Sequence, residues 1–298
     1  MSANQIATEQ LRQWIIDQTR AGCQPAAVLE AMKASGWDEQ VALDALEQTL
    51  RSWVEPAAAG PAATFRSGPA NSGLDSVDLP RTVPEPALDG RPALPLSDGH
   101  SVQVISTLRE PRVVVFGGLL SDQECAGLMA LAAPRLIRSE TVHNESGGSE
   151  VHASRTSDGM FFERGEQPLI AAIEARIAEL LCWPVSHGEG LQILRYRPGA
   201  EYKPHYDYFD PKHSGTPRIL ERGGQRVGTL LIYLNAPDGG GGTVFPDAGL
   251  EVAPVRGNAV FFSYDRAHPG TKTLHGGAPV TAGEKWVATK WLREGLFV

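Results

Sequence analysis

A chain of 298 residues with a formal charge of −8 has room for one large domain and a small one. Its acidic balance argues against a generic nucleic-acid binder, which presents a basic face. Three widely spaced cysteines, Cys23, Cys125 and Cys182, make neither a disulfide framework nor a zinc cluster; with no signal peptide and no run of about 18 apolar residues, the expectation is a soluble cytoplasmic protein that does not engage a membrane.

Residues 8–53 read as three short helices. The first carries Leu11, Trp14, Ile15 and Gln18 and ends near Gly22; the second has Pro25 in its first turn, then Val28, Leu29 and Met32, and stops at Gly36. The third starts after Asp38 and presents Val41, Ala42, Ala45, Leu46 and Leu50. This segment is acidic, with four Lys/Arg against eight Asp/Glu in residues 1–55, so the remainder of the chain is closer to neutral. A three-helix unit over residues 1–54 is of marginal size. Its stripes form a mini-core, and its Ser35-Gly36-Trp37 corner is a candidate contact for a protein partner.

From residue 55 to 100 the chain is rich in Pro, Ala, Gly and Ser, which reads as a linker. A larger domain is expected over residues 101–298. Helices are predicted at Ser121–Ala133, opened by the capping box Ser121-Asp-Gln-Glu124, and at Pro168–Leu181. Strands are predicted at Leu191–Tyr196, Arg226–Asn235, Val244–Phe245, Ala259–Tyr264, Thr271–His275 and Lys285–Leu292, separated by turns such as Asp238–Gly242. Many short strands after a pair of helices predict a mainly β double-stranded jelly roll with flanking helices.

Chemistry concentrates in the run Pro204-His205-Tyr206-Asp207-Tyr208-Phe209. His205 and Asp207 are two residues apart, so an extended segment turns both to one face. A second histidine would complete two imidazoles and one carboxylate on one side of a metal, the facial arrangement of non-haem Fe(II) oxygenases. The candidates are His268 and His275. A hairpin turning at Pro279-Val-Thr-Ala282 would set His275 opposite Lys285, and cross-strand partners share a face, which favours His275. Along the last strand, Lys285, Val287, Thr289 and Trp291 would then point inward and Trp286, Ala288, Lys290 and Leu292 outward. Lys285 facing a cavity needs an anion; the plainer reading is a solubility charge on an edge strand. His213, His143 and His152 fall in loops. The polar segment His143–Glu150 and the segment Asp210–Gln225 are candidate lids.

The stretch Leu191–Arg293 resembles the catalytic core of the prolyl 4-hydroxylase family of 2-oxoglutarate/Fe(II)-dependent dioxygenases. The matching pieces include Leu191-Gln-Ile-Leu-Arg-Tyr196, Tyr202-Lys-Pro-His-Tyr-Asp-Tyr-Phe209, Thr229-Leu-Leu-Ile-Tyr-Leu-Asn235, Gly241-Gly-Thr-Val-Phe-Pro246, Leu274-His-Gly-Gly277 and Gly283-Glu-Lys-Trp286. Residues 111–162 match more loosely, through Val113–Phe116 and Ser154-Arg-Thr-Ser157. Gly36-Trp37-Asp38 and the stripe after it resemble a ubiquitin-associated (UBA-like) three-helix domain. The main resemblance implies Fe(II) on His205, Asp207 and His275, and 2-oxoglutarate held by Lys285, with Tyr196 and Thr229 in the same pocket. It places Arg226 and Trp291 at the substrate groove. It further implies dioxygen as oxidant, ascorbate as a supporting reductant and a proline-containing protein or peptide as substrate. Two departures fall on the substrate side: Trp291-Leu-Arg293 where the family has Trp-x-His, and Gly241-Gly-Thr243 without the family's acid.

Rival readings differ in what they require. An iron halogenase lacks the carboxylate that Asp207 supplies. A nucleic-acid dealkylase needs a basic groove. A non-catalytic peptide-binding module would be missing a ligand. Hydroxylation of another protein side chain, of a free amino acid or of a small molecule stays open.

Overall fold

The computed structural model describes scattered positions between Arg12 and Thr49, and residues 83–298 except 139, 140, 143–148 and 151–155; for residues 141, 142, 149 and 150 only the backbone is described. Several expectations therefore fall outside the described residues. They are the helix positions Leu11, Trp14, Gln18, Gly22, Pro25, Gly36 and Leu50, the linker as far as residue 82, Ser154 and Arg155, and the candidate lid at His143–Glu150 apart from its last two backbone positions. His143 and His152 fall there too. The chain divides into two compact units, Met1–Asp75 and Ser76–Val298.

In the first unit, Ile15, Val28, Met32, Ala42, Ala45 and Leu46 are buried together, with Leu29 and Trp37 packed on them. Asp38 Oδ1 accepts from the Val41 amide, three residues on, as a helix N-cap does.

The second unit runs β1 (Ala93–Pro95), β2 (Ser101–Leu108), β3 (Arg112–Gly117), α1 (Asp122–Ala132), β4 (Ile137–Arg138), β5 (Thr141–Val142), β6 (Ser149–Glu150), β7 (Asp158–Phe162), α2 (Pro168–Leu181), β8 (Leu191–Tyr196), β9 (Tyr202–His205) and α3 (Thr216–Leu220). It continues through β10 (Arg226–Tyr233), β11 (Gly239–Gly240), β12 (Thr243–Phe245), β13 (Leu250–Val252), β14 (Ala259–Ser263), β15 (His275–Gly277), β16 (Val280–Ala282) and β17 (Lys285–Arg293). A nine-stranded sheet has the order β1-β2-β3-β14-β10-β17-β8-β7-β4, and a four-stranded sheet the order β13-β12-β15-β9.

Two apolar layers explain the arrangement. Val113, Val260, Phe262, Tyr233 and Val287 of the large sheet meet Phe245 and Val252 of the small one. On the other face of the large sheet, Val114, Phe116, Leu230, Ile232, Phe261 and Ala288 pack under Cys125 and Leu128 of α1 and Ile170, Ile173 and Ile177 of α2. The result is a β-rich domain of two facing sheets with helices on one of them, as the jelly-roll expectation required. The predicted capping box opens α1: the Ser121 amide donates to Glu124 Oε2 at 2.8 Å and the Glu124 amide to Ser121 Oγ at 3.2 Å.

Three expectations are corrected. Residues 83–100 are not linker: Leu94 is buried, Val83, Leu88 and Leu96 pack against the helix-side core, and Arg112 binds the Glu85 carboxylate. Their proline content hid apolar anchors spaced too irregularly to show a period. Second, β15 and β17 do not form a hairpin; β15 pairs with β9 and β17 with β8 and β10, in different sheets. Third, the predicted strand Thr271–His275 begins only at His275, because Pro269–Thr271 forms a 3₁₀ turn capped by His268, whose Nδ1 accepts from the Gly270 amide. The side chains of β17 expected to point outward do face away from the cavity, where the helices cover them. Trp286, Ala288 and Leu292 join the helix-side core, and the buried Lys290 ammonium binds the Glu174 carboxylate and the Glu189 carbonyl.

Candidate active site

His205 and His275 are direct cross-strand partners in the β9–β15 ladder, so their imidazoles leave the same face. Their ring centroids are 4.4 Å apart. This approach needs Gly276: a Cβ there would stand 2.8 Å from the Tyr202 carbonyl oxygen. Asp207 lies just past β9, and its carboxylate reaches both histidines, with Oδ1 3.5 Å from His205 Nε2 and Oδ2 3.5 Å from His275 Nε2. One ligand atom from each of the three lies within 4.8 Å of the others.

The histidines are oriented alike. His205 Nδ1 is 2.9 Å from the Lys203 carbonyl and His275 Nδ1 is 3.0 Å from the Thr273 carbonyl. A carbonyl only accepts, so each Nδ1 carries the proton and each Nε2 presents a lone pair to the cluster. Burial pushes His275 down to about 4, against the pull of the Asp207 charge. Burial alone would raise the Asp207 carboxyl; the His275 and His205 rings and the Arg226 guanidinium outweigh it and hold the group far below the usual carboxylate range. Two imidazoles and an ionised carboxylate on one side of an open cavity fit a divalent first-row metal, and iron in particular.

The cavity is lined by Tyr196, Thr229, Lys285, Thr289 and Trp291 besides the cluster, with Leu194, Leu231 and Val287 as its apolar wall. The inward alternation expected along β17 is therefore observed. Lys285 reaches the space from the large sheet, where it pairs with Tyr196, while His275 reaches it from the small sheet. The two share a cavity because the sheets face each other. Lys285 is 3% exposed, and no hydrogen bond or ion pair engages its ammonium among the described residues. Its Nζ lies 5.5 and 5.6 Å from the ring centroids of Tyr196 and Tyr233. Burial pushes it down to about 8. A buried ammonium surrounded by aromatic rings is a receptor for an anion.

The remaining sequence candidates separate. Thr229 lines the cavity, but its hydroxyl donates to Asp207 Oδ2 at 2.7 Å. Arg226 is not part of the lining. Its Nε and Nη2 hold the two carboxylate oxygens of Glu189 at 2.7 and 2.9 Å, and its guanidinium carbon lies 3.9 Å from the Trp291 ring centroid. It braces the back of Trp291, whose other surroundings include Phe161 at 6.3 Å between centroids. His268 caps its turn away from the cluster, and the segment Asp210–Gln225 contains α3.

Sequence reasoning passed over Glu189. It is buried between two cations, with Arg293 Nε 2.8 Å from Oε1. Burial would raise its carboxyl, and the charges and hydrogen bonds of Arg226 and then Arg293 bring it below the ordinary range. Arg293 stands where the family motif has histidine. The signal available was a lone acid between Gly188 and Gly190, which reads as a turn.

Residues 191–293 match the sequence profile of the 2OG-Fe(II) oxygenase superfamily. Probable prolyl 4-hydroxylase 3 of Arabidopsis thaliana is 41% identical over 209 residues, spanning 63% of this chain and 71% of the relative. Prolyl 4-hydroxylase 1 of the same plant is 42% identical over 202 residues, spanning 62% and 69%. Among solved structures, the viral collagen prolyl hydroxylase of Paramecium Bursaria Chlorella virus-1, in its 2OG complex, is similar at 33% identity. That match has a TM-score of 0.47 and covers 61% of this chain and 95% of the other.

Proposed function

Because the chain belongs to the prolyl 4-hydroxylase family of 2-oxoglutarate- and Fe(II)-dependent dioxygenases, we propose that it hydroxylates proline residues within a protein or peptide. The observation that carries this reading is one cavity holding the His205–Asp207–His275 cluster on one wall and, on the other, the Lys285 ammonium, which has no hydrogen-bond or ion-pair partner among the described residues. Iron with 2-oxoglutarate supplies, when bound, the oxidising chemistry that places one oxygen atom of dioxygen on the substrate, with succinate and carbon dioxide as co-products. His205 Nε2, Asp207 and His275 Nε2 would hold the metal, leaving its opposite side open. Lys285 would take the distal carboxylate of 2-oxoglutarate, with Tyr196 beside it. Leu194, Leu231 and Val287 exclude water around that pair, which strengthens it. Trp291, braced by Arg226, would stand on the substrate side of the cavity.

The reading extends to the rest of the chain. The helical head, similar to a ubiquitin-associated domain, would recruit a protein partner. Cys125 and Cys182 are free thiols, which suits a reducing cytoplasmic setting with ascorbate sustaining turnover. Among the described residues no helix is long and apolar enough to cross a membrane. The test is incubation of a proline-rich peptide panel with the protein, Fe(II), ascorbate and 2-oxoglutarate. Tandem mass spectrometry should find a gain of one oxygen atom on proline. Oxygen appearing only on another side chain, or only on free amino acids, would overturn the peptidyl-proline assignment and leave the dioxygenase chemistry standing.

A further inference from the structure

Two buried hydroxyls stand in line behind Asp207. Thr229 Oγ1 donates to Asp207 Oδ2 at 2.7 Å and lies 3.0 Å from the Tyr264 hydroxyl oxygen. A hydroxyl carries one proton, and an ionised carboxylate can only accept. The Thr229 proton is committed to Asp207, so Tyr264 must be the donor to Thr229. The hydrogen bonds therefore run in one direction, Tyr264 to Thr229 to Asp207. Tyr264, Thr229 and Asp207 are 2%, 1% and 7% exposed, so bulk water does not compete for these bonds. Burial, and next the Asp207 charge, raise the Tyr264 phenol well above its ordinary range, in keeping with a permanent donor.

The fold sets this line rigidly. Thr229 sits mid-strand in β10, between Phe262 of β14 and Trp291 of β17 in the ladders. Tyr264 follows β14 directly, and its amide donates to the Val227 carbonyl at 3.1 Å, which continues the β10–β14 pairing by one step. Both hydroxyls thus come from the centre of the large sheet, whereas Asp207 sits on the less regular segment after β9. The sheet supplies the fixed reference and the aspartate is held to it.

We propose that Thr229 and Tyr264 are positioning residues that keep Asp207 a one-oxygen metal ligand. The Thr229 hydroxyl takes up one lone pair of Oδ2 and weakens that oxygen as a donor, which leaves Oδ1 the stronger one to act with His205 Nε2 and His275 Nε2. This rests on the metal-site reading above and reassigns Thr229 from the cosubstrate pocket to the support of the aspartate. The consequence is an extra open position: a carboxylate binding through both oxygens would leave fewer places for 2-oxoglutarate.

The full-length, metal-free protein titrated with Co(II), followed by visible absorption, tests this without turnover. Thr229→Val removes the hydroxyl and keeps the branched shape; Thr229→Ser removes the methyl and keeps the hydroxyl. Partners that orient metal ligands typically contribute about 10–100-fold in metal affinity. Thr229→Val should weaken Co(II) by that factor, change its band intensities, and blunt the spectral response to added 2-oxoglutarate. Thr229→Ser should match wild type. Tyr264→Phe should shift affinity in the same direction by a smaller factor, and it decides the matter if Thr229→Val does not fold. Wild-type affinity and bands in Thr229→Val, equal damage in Thr229→Ser, or an unchanged folded Tyr264→Phe where Thr229→Val does not fold would overturn the inference. Failure of the wild type itself to bind Co(II) would overturn the metal-site reading, and this inference with it.

Discussion

Replacing Lys285 with methionine should make the ligand-free protein more stable and the 2-oxoglutarate site useless. Lys285 is 3% exposed, its ammonium has no acceptor among the described residues, and burial lowers it from an ordinary 10.5 to about 8. At roughly 1.4 kcal/mol for each unit, keeping this group charged in the fold costs about 3 kcal/mol. The folded value lies below the unfolded one, so the unfolded chain binds the extra proton between pH 8 and 10.5. The cost is therefore fully present at pH 7 and disappears as pH rises through that window. Methionine has similar length and nothing to desolvate, so Lys285→Met should raise unfolding free energy at pH 7 by up to about 3 kcal/mol, with the gain shrinking toward pH 10. Urea denaturation in chelator at both pH values measures this. With metal present, saturating 2-oxoglutarate should stabilise wild type by about 3 kcal/mol at a hundredfold excess over Kd, and the variant scarcely at all. In the wild type, affinity for 2-oxoglutarate should fall as pH climbs above about 8, because the free enzyme loses the receptor charge. A variant less stable than wild type at pH 7, or one that still gains stability from 2-oxoglutarate, would refute the reasoning.

Alanine at His205, Asp207 or His275 should abolish succinate formation and Co(II) binding, whereas His268→Ala, which removes a turn cap, should retain both; the reverse result for the two histidines would overturn the ligand assignment. Glu189→Ala leaves the buried Arg226 and Arg293 without their carboxylate, and loss of about 3–5 kcal/mol is expected in urea denaturation. A loss below about 1 kcal/mol would show that the arginines find other partners. A chain beginning at Ser76 should fold and decarboxylate 2-oxoglutarate, while one beginning at Ser101, deprived of Leu94 and the Glu85–Arg112 pair, should be unstable or insoluble. Equal solubility and melting of the two would return residues 83–100 to the linker.

What could be read from residues alone was whatever depends on local periodicity or on a fixed short spacing. The alternation along Lys285–Trp291 follows from the two-residue period of a strand, and it placed Lys285, Val287, Thr289 and Trp291 on one face before any partner strand was known. His205 and Asp207 were legible as a pair because two residues separate them. The capping box marked the start of α1, since both its bonds form within four residues.

Pairing across the chain was decided only by the tertiary structure. His275 and Lys285 meet in the cavity from opposite walls, not across a hairpin, because β16 pairs with β11 and carries the chain from the small sheet to the large one. No local pattern distinguishes those two routes to one cavity. The burial of Lys290, the clamp of Glu189 between Arg226 and Arg293, and the docking of residues 83–100 share this origin. Each depends on which distant surface arrives to cover a side chain, and a charged or proline-rich segment looks the same in sequence whether it meets water or another element. Thr229 shows the limit most plainly: the family resemblance implied its place in the pocket, but the carboxylate its hydroxyl serves, Asp207, lies 22 residues away and is brought within reach only when the sheets face each other.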